Sequence, residues 1–265
     1  MSVNGGPAQP TQPTPAAPRS LRIAAAGDLH CCDERRDAIE EGLTALQGTA
    51  DVALLCGDLT THGEPEEAAA LARACAAIDF PVLAVLGNHD WHSGRHDELV
   101  SELRRGGIQV LDRGWTTCEI QGIEVGFVGC KGFVGGFPGS HLPDFGEPLL
   151  RQVYRETSLE VEALDHGLRE IALCPIRIVL LHYAPTSETI EGEAPGIWTF
   201  LGTDRLAAPI SEHEPDLVLH GHAHAGTFAG KIGGVPVYNV SVPVIGREFW
   251  LFELDAPSPA RAAIH

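Results

Sequence analysis

The chain has 265 residues, 44% of them hydrophobic, which is enough for a buried core and far from the composition of a disordered segment. Its 18 basic and 36 acidic residues give a formal charge of −18, a field that repels polyanions and excludes a nucleic-acid-coating role. The seven cysteines make neither a paired CxxC zinc pattern nor a regular disulfide frame, and a reducing cytoplasm is the compartment they fit.

Residues 1–20 are rich in Pro, Gln, Thr and Ala and are expected to form a disordered leader without the apolar stretch of a signal peptide. No later run reaches the ~18 apolar residues of a membrane span, so no membrane partner is expected. The apolar run 21–26 leads into Gly27-Asp28-Leu29-His30. Ala38, Ile39, Leu43 and Leu46 then recur at helical spacing over 33–47, and Gly48 follows as a stop signal. The run 52–56 leads into Gly57-Asp58, and an alanine-rich helix is predicted over 64–78, with Pro65 near its first turn. The run 81–86 leads into Gly87-Asn88-His89-Asp90, ahead of a helix predicted over 96–104. Residues 132–139 (GFVGGFPG), behind Lys131, read either as a wall or lid of a site or as a plain surface loop.

A fourth helix is predicted over 158–173. The run 176–181 leads into His182, and 216–219 into His220-Gly221-His222-Ala223-His224. Segments 235–240 and 248–254 read as strands with no helix between them, which predicts an antiparallel or mixed edge. Strands alternating with helices argue for one α/β domain over 21–255, parallel at its centre, followed by a short tail over 256–265.

Open α/β sheets bind ligands at the carboxyl ends of their strands. A lone Gly-Asp there is usually an ordinary turn, but here five strands each deliver Asp, Asn or His to that end. Asp28, Asp58 and Asn88 offer oxygen, whereas His30, His182, His222 and His224 offer imidazole nitrogen. That mixture suits Mn, Fe, Zn, Ni or Co better than an all-oxygen Mg or Ca cage. Seven ligands exceed the four of one zinc, and two ions ~3.5–4 Å apart sharing a carboxylate would use them.

The ordered set Asp28-x-His30, Gly57-Asp58, Gly87-Asn88-His89-Asp90, His182 and Gly221-His222-x-His224 resembles the calcineurin-like metallophosphoesterase superfamily. The resemblance implies a four-layer αββα sandwich, two mixed sheets flanked by helices, with a dimetal site at the strand carboxyl ends. It implies that Asp28, His30 and His224 hold one ion, that Asn88, His182 and His222 hold the other, and that Asp58 bridges them. His89 would protonate the leaving oxygen, with Asp90 orienting it. The implied activity is hydrolysis of phosphomonoesters or phosphodiesters by a metal-bridging hydroxide. Four units of metal charge against Asp28 and Asp58 would leave about +2, which draws phosphate into an acidic protein.

The match departs from the superfamily's protein phosphatases, which carry GDxxDRG and GNHE. Gly57-Asp58-Leu59-Thr60-Thr61-His62-Gly63 has no such arginine, so phosphoprotein specificity is disfavoured. Thr61 stands where purple acid phosphatases place a tyrosine ligand. The form is closest to the bacterial phosphodiesterase-like and small-phosphoester branches. It implies a small phosphorylated substrate, with nucleic acid only as a terminus or a nucleotide, and it leaves the oligomeric state open.

His62, His92, His96 and His141 are candidate substrate contacts, Trp115 and Trp198 are expected in the core, and Cys31 and Cys32 are expected as loop spacers. Cys56, Cys75, Cys130 and Cys174 read as small buried hydrophobes. Two other readings compete. One is a catalytically silent scaffold of the same fold, and the other is a β-lactamase-like hydrolase, whose HxHxDH run is absent here.

Overall fold

A computed structural model describes residues 19–256, and the parts of the expected leader and tail beyond them lie outside the described residues. The first half of the chain runs β1 (Ser20–Ala26), α1 (Arg36–Ala45), β2 (Val52–Cys56), α2 (Pro65–Cys75), β3 (Val82–Val85), α3 (His96–Arg105) and β4 (Ile108–Val110). β1 to β4 pair in parallel, each with the next. Strands covered on both faces must be apolar throughout, and every residue of β2 and β3 is buried.

The second half runs β5 (Gly114–Ile120), β6 (Ile123–Gly129), α4 (Pro148–Glu170), β7 (Ile176–Leu180), α5 (Trp198–Leu201) and α6 (Ala207–His213). It continues with β8 (Leu217–His220), β9 (Ala229–Ile232), β10 (Val235–Asn239), α7 (Val242–Ile245) and β11 (Trp250–Asp255). Its sheet has the order β5-β6-β7-β8-β10-β9, parallel from β6 to β10 and antiparallel at both edges. β11 crosses back to the first sheet and pairs antiparallel with β1, which puts Ser20 opposite Asp255.

Side-chain alternation builds three apolar layers between four layers of structure. Leu21, Ile23 and Ala25 of β1 pack with Phe127, Ile178 and Leu219 between the sheets. Ala24 and Ala26, on the other face of β1, meet Ile39, Leu71 and Leu99 of the first three helices. Leu164, Leu168 and Ile210 from α4 and α6 cover Val128, Val179 and Val218 on the far side. The expected mixed sheets flanked by helices are present.

Several local expectations differ from the structure. α4 starts ten residues earlier than predicted, with Pro148 in its first turn, because the charged stretch after it masks the apolar stripe. The short helix α7 lies between β10 and β11, where no helix was expected, and turns the chain from one sheet to the other. Trp115 is 41% exposed instead of in the core; it sits on edge strand β5, with its ring 4.8 Å from that of His166. Trp198 is half-buried, packed against the small cluster of Phe137, Ala184, Ile190, Leu201 and Ala223. Cys56, Cys75, Cys130 and Cys174 are buried as expected.

Candidate metal centre

The carboxyl ends of β1, β2, β3, β7 and β8 meet along one edge of the molecule. Backbone bonds interlace their loops there: Gly27 N–H donates to Val240 O at 2.8 Å, Asp28 N–H to Gly57 O at 2.9 Å and Gly221 N–H to His182 O at 3.1 Å. The first of these ties the two sheets together. The strand-end glycines permit the close approach. A Cβ on Gly87 would overlap both the Asp58 carboxylate and its backbone nitrogen.

Seven non-glycine residues among those described have positive φ, and four of them are Asp28 (59°), His30 (46°), Asp58 (47°) and His222 (70°). Left-handed backbone at branched or polar residues costs energy, and its concentration here marks the segment as shaped for function.

All seven residues expected as ligands converge. Asp28, His30 and His224 bring one ligand atom each within 4.8 Å of one another, and so do Asp58, His182 and His222. Asn88 joins the second group, its Oδ1 lying 3.0 Å from His182 Nε2. Asp58 also belongs to a third group with His30 and His89, so it faces both halves of the centre. Asp28 and Asp58 are 1% and 2% exposed. Among the described residues, every ion-pair partner of these two carboxylates is a histidine, with no lysine or arginine. Two buried carboxylates facing only imidazoles and an amide are a donor set that fits divalent cations.

The imidazoles are oriented from behind. His182 Nδ1 donates to Cys56 O at 2.9 Å, which turns its Nε2 lone pair toward Asp58 Oδ1, 3.3 Å away. His222 Nε2 donates to Phe200 O at 3.0 Å, leaving Nδ1 for the centre. Burial pushes His222 down to about 4 and lowers His30, which keeps both rings neutral, the form that can ligate. Burial also pushes Asp28 up, but the hydrogen bond from His224 and the charges of His182 and His224 outweigh it and hold the carboxyl below its usual range. The Asp28 carboxylate likewise raises His224.

His89 stands at the rim on the His30 side, with ring centroids 4.6 Å apart. Its Nδ1 donates to Thr61 O at 2.8 Å, and its Nε2 lies 3.9 Å from Asp58 Oδ2. Asp90, expected to orient this ring, makes no direct hydrogen bond to it among the described residues. Asp90 is fully buried and accepts from the backbone N–H groups of Leu59, Thr60 and Gly87 and from the Thr60 hydroxyl. It clamps the β2 and β3 loops together, and Thr61, on the clamped loop, is what holds the ring. Burial and the neighbouring Asp58 charge push Asp90 up to about 6.

The remaining candidates divide. His92 packs on His89 with centroids 4.3 Å apart, whereas His62 pairs with Glu67, His96 stacks on Trp91 and His141 pairs with Asp204. His220 is buried and bonded to Thr189 and Gly221, outside the ligand groups. The glycine-rich loop over 132–139 is a pinned wall: Gly135 N–H donates to Thr199 O, Gly136 N–H to Gly202 O, and Phe137 is fully buried. A fourth group, Asp165, Glu212 and His213, lies between α4 and α6, but Arg169 already occupies its aspartate at 2.6 Å. Thr61, noted in the sequence as the place of a tyrosine ligand in purple acid phosphatases, serves here through its backbone carbonyl. Phe200 and Tyr183 are further neighbours of the centre that the sequence did not single out, and of these only Tyr183 carried a signal, its position directly after His182.

No curated protein matches the chain in sequence. Among solved structures, it is similar to a phosphopantetheinyl hydrolase (PptH) from Mycobacterium tuberculosis: TM-score 0.64, 15% identity, covering 91% of this chain and 97% of the other. It is also similar to TT1561 of Thermus thermophilus, with a TM-score of 0.60 at 18% identity, covering 88% of this chain and 99% of that one. GAP50, the anchor in the inner membrane complex of Plasmodium, has a TM-score of 0.58 at 11% identity, covering 89% and 81%. At such identities these likenesses show a shared fold. A family model for calcineurin-like phosphoesterases matches residues 21–226, most of the chain and the whole span from β1 past His224, and the protein therefore belongs to the calcineurin-like phosphoesterase family.

Proposed function

We propose that this protein is a dinuclear metal-dependent hydrolase of phosphomonoesters or phosphodiesters. The observation that carries the reading is the pair of buried carboxylates, Asp28 and Asp58, converging with histidines and, among the described residues, paired with no lysine or arginine. Asp28, His30 and His224 would hold one ion, Asn88, His182 and His222 the other, and Asp58 both. The donor set suits Mn, Fe or Zn. When bound, the two ions supply positive charge for the phosphoryl oxygens and lower the pKa of water.

The chain's own residues do the rest. With Nδ1–H committed to the Thr61 carbonyl, His89 presents Nε2 to the centre, and in its protonated form it can give a proton to the leaving oxygen there. Asp90 keeps the β2 and β3 loops in register beneath it and acts as a positioning residue. The substrate proposed is a small phosphorylated molecule; the phosphopantetheinyl hydrolase that shares the fold is, by its name, also a hydrolase of a phosphorylated group. A reducing, cytoplasmic setting is supported by seven cysteines that are all free. Among the described residues, no helix is long and apolar enough to cross a membrane.

A scaffold role is the second reading, because GAP50, a neighbour in fold, is an anchor and fold does not imply activity. The test is hydrolysis of p-nitrophenyl phosphate and bis-p-nitrophenyl phosphate by protein loaded with Mn²⁺, Zn²⁺ or Fe²⁺. Nitrophenolate release that a chelator stops and added metal restores is expected. Protein that holds two ions and cleaves neither ester supports the scaffold.

A further inference from the structure

We propose that Tyr183 is a substrate-binding residue whose hydroxyl donates a hydrogen bond to the phosphoryl group seated at the centre, with the Lys131 ammonium over its ring strengthening that bond. This inference rests on the phosphoesterase reading and adds a contact that reading does not use.

Tyr183 directly follows His182 beyond the end of β7. Its ring centroid lies 4.4 Å from that of His222 and 5.4 Å from that of His182. It therefore lines the His182–His222 side of the centre, whereas His89 stands on the His30 side. The residue is 5% exposed, yet its hydroxyl has no hydrogen-bond partner among the described residues. It is also not a buried orphan: among the described residues, the one fully buried side-chain polar atom without a partner is Arg35 Nε. The small exposed part of Tyr183 must then include the hydroxyl. A phenol with its ring packed against two imidazoles and its O–H open to solvent presents a donor to whatever enters beside them.

A neighbouring cation suits that donor to an anion. The Lys131 Nζ lies 5.2 Å from the Tyr183 ring centroid and 4.3 Å from that of Phe133, while its polar contact is the neighbouring Gly132 carbonyl at 3.4 Å. A cation over the face of a phenol draws electron density from the ring and makes its O–H a stronger donor. The Lys131 backbone is fixed as well, because its carbonyl accepts from the N–H groups of both His182 and Tyr183 at 3.0 Å.

Tyr183→Phe removes the hydroxyl and keeps the ring. The readouts are orthophosphate affinity of Mn²⁺-loaded protein by calorimetry, metal content, and kcat/KM for p-nitrophenyl phosphate. Orthophosphate binding is expected to weaken ~10–100-fold, the size of one hydrogen bond to a charged group, with kcat/KM falling in step and two ions retained. Lys131→Met should reproduce part of the loss, and Lys131→Arg should restore most of it. A Tyr183→Phe protein that binds orthophosphate as tightly as wild type overturns the proposal. Loss of metal from that variant overturns it too, since the residue would then serve the ligands and not the substrate. If wild-type protein binds orthophosphate but cleaves no ester, the phosphoesterase reading fails, while the affinity difference still decides the Tyr183 contact. Loaded wild-type protein that binds no orthophosphate overturns both.

Discussion

Because Asp58 faces both halves of the centre, its replacement should cost two metal ions, whereas replacing a ligand of one half should cost one. The stability consequence can be worked out. An ion that binds only the folded chain stabilises it by about 2.7 kcal/mol when its free concentration is ~100 times Kd. Two such sites contribute about 5.4 kcal/mol, and at roughly 2–4 °C per kcal/mol for a chain of this size the melting point should rise by about 10–20 °C. His224→Ala, which removes a ligand from the Asp28 group alone, should show about half that rise. Asp58→Asn should show almost none. Its asparagine oxygen can still accept the His89 N–H that Asp58 Oδ1 accepts at 2.8 Å, and one uncompensated buried charge is gone, so the metal-free variant should melt no lower than metal-free wild type. The assay is thermal melting with EDTA or with graded Mn²⁺, Zn²⁺ and Fe²⁺, alongside elemental analysis. An Asp58→Asn protein that still holds two ions per chain, or a wild-type melt that none of the three metals moves, refutes the reasoning.

His89→Ala should keep both ions and lower turnover by ~10²–10⁴-fold, as expected for lost general-acid assistance; loss of metal would instead make His89 a ligand. Asp51 ties the first sheet to the β5–β6 hairpin, accepting from Arg22 at 2.7 Å and from Gln121 at 3.2 Å. The Arg22 hydrogen bond holds its carboxyl below the usual range, so the stability it adds is complete above about pH 4 and is lost as pH falls through the depressed value. Asp51→Asn should cost about 1–2 kcal/mol in urea melts at pH 7, discounted because the Arg22 side chain is 40% exposed, and less at pH 3. A difference that widens on acidification counts against this account.

Much of the centre was legible in the chain because each ligand follows an apolar run that can only be a buried strand. Asp28 after 21–26, Asp58 after 52–56 and His182 after 176–181 were placed at strand ends by local pattern alone. The β5–β6 hairpin could also have been read. Gln121 and Gly122, both with positive φ, make the two-residue turn that joins twisted strands, but β5 alternates polar and apolar as an edge strand and lacks the apolar run that marked the others.

Local pattern determines which residue types stand at which strand ends, since a strand's apolar run and its closing turn are encoded within a few neighbours. It does not determine what those ends face. His222 N–H reaches Asp28 across 194 residues, and that meeting depends on two sheets packing face to face at one relative height. The tertiary structure alone decided that the Thr61 carbonyl and not Asp90 bonds the His89 ring, and that Tyr183 stands beside His222 with its hydroxyl uncommitted among the described residues. Each is a contact between loops that no periodicity in the chain relates.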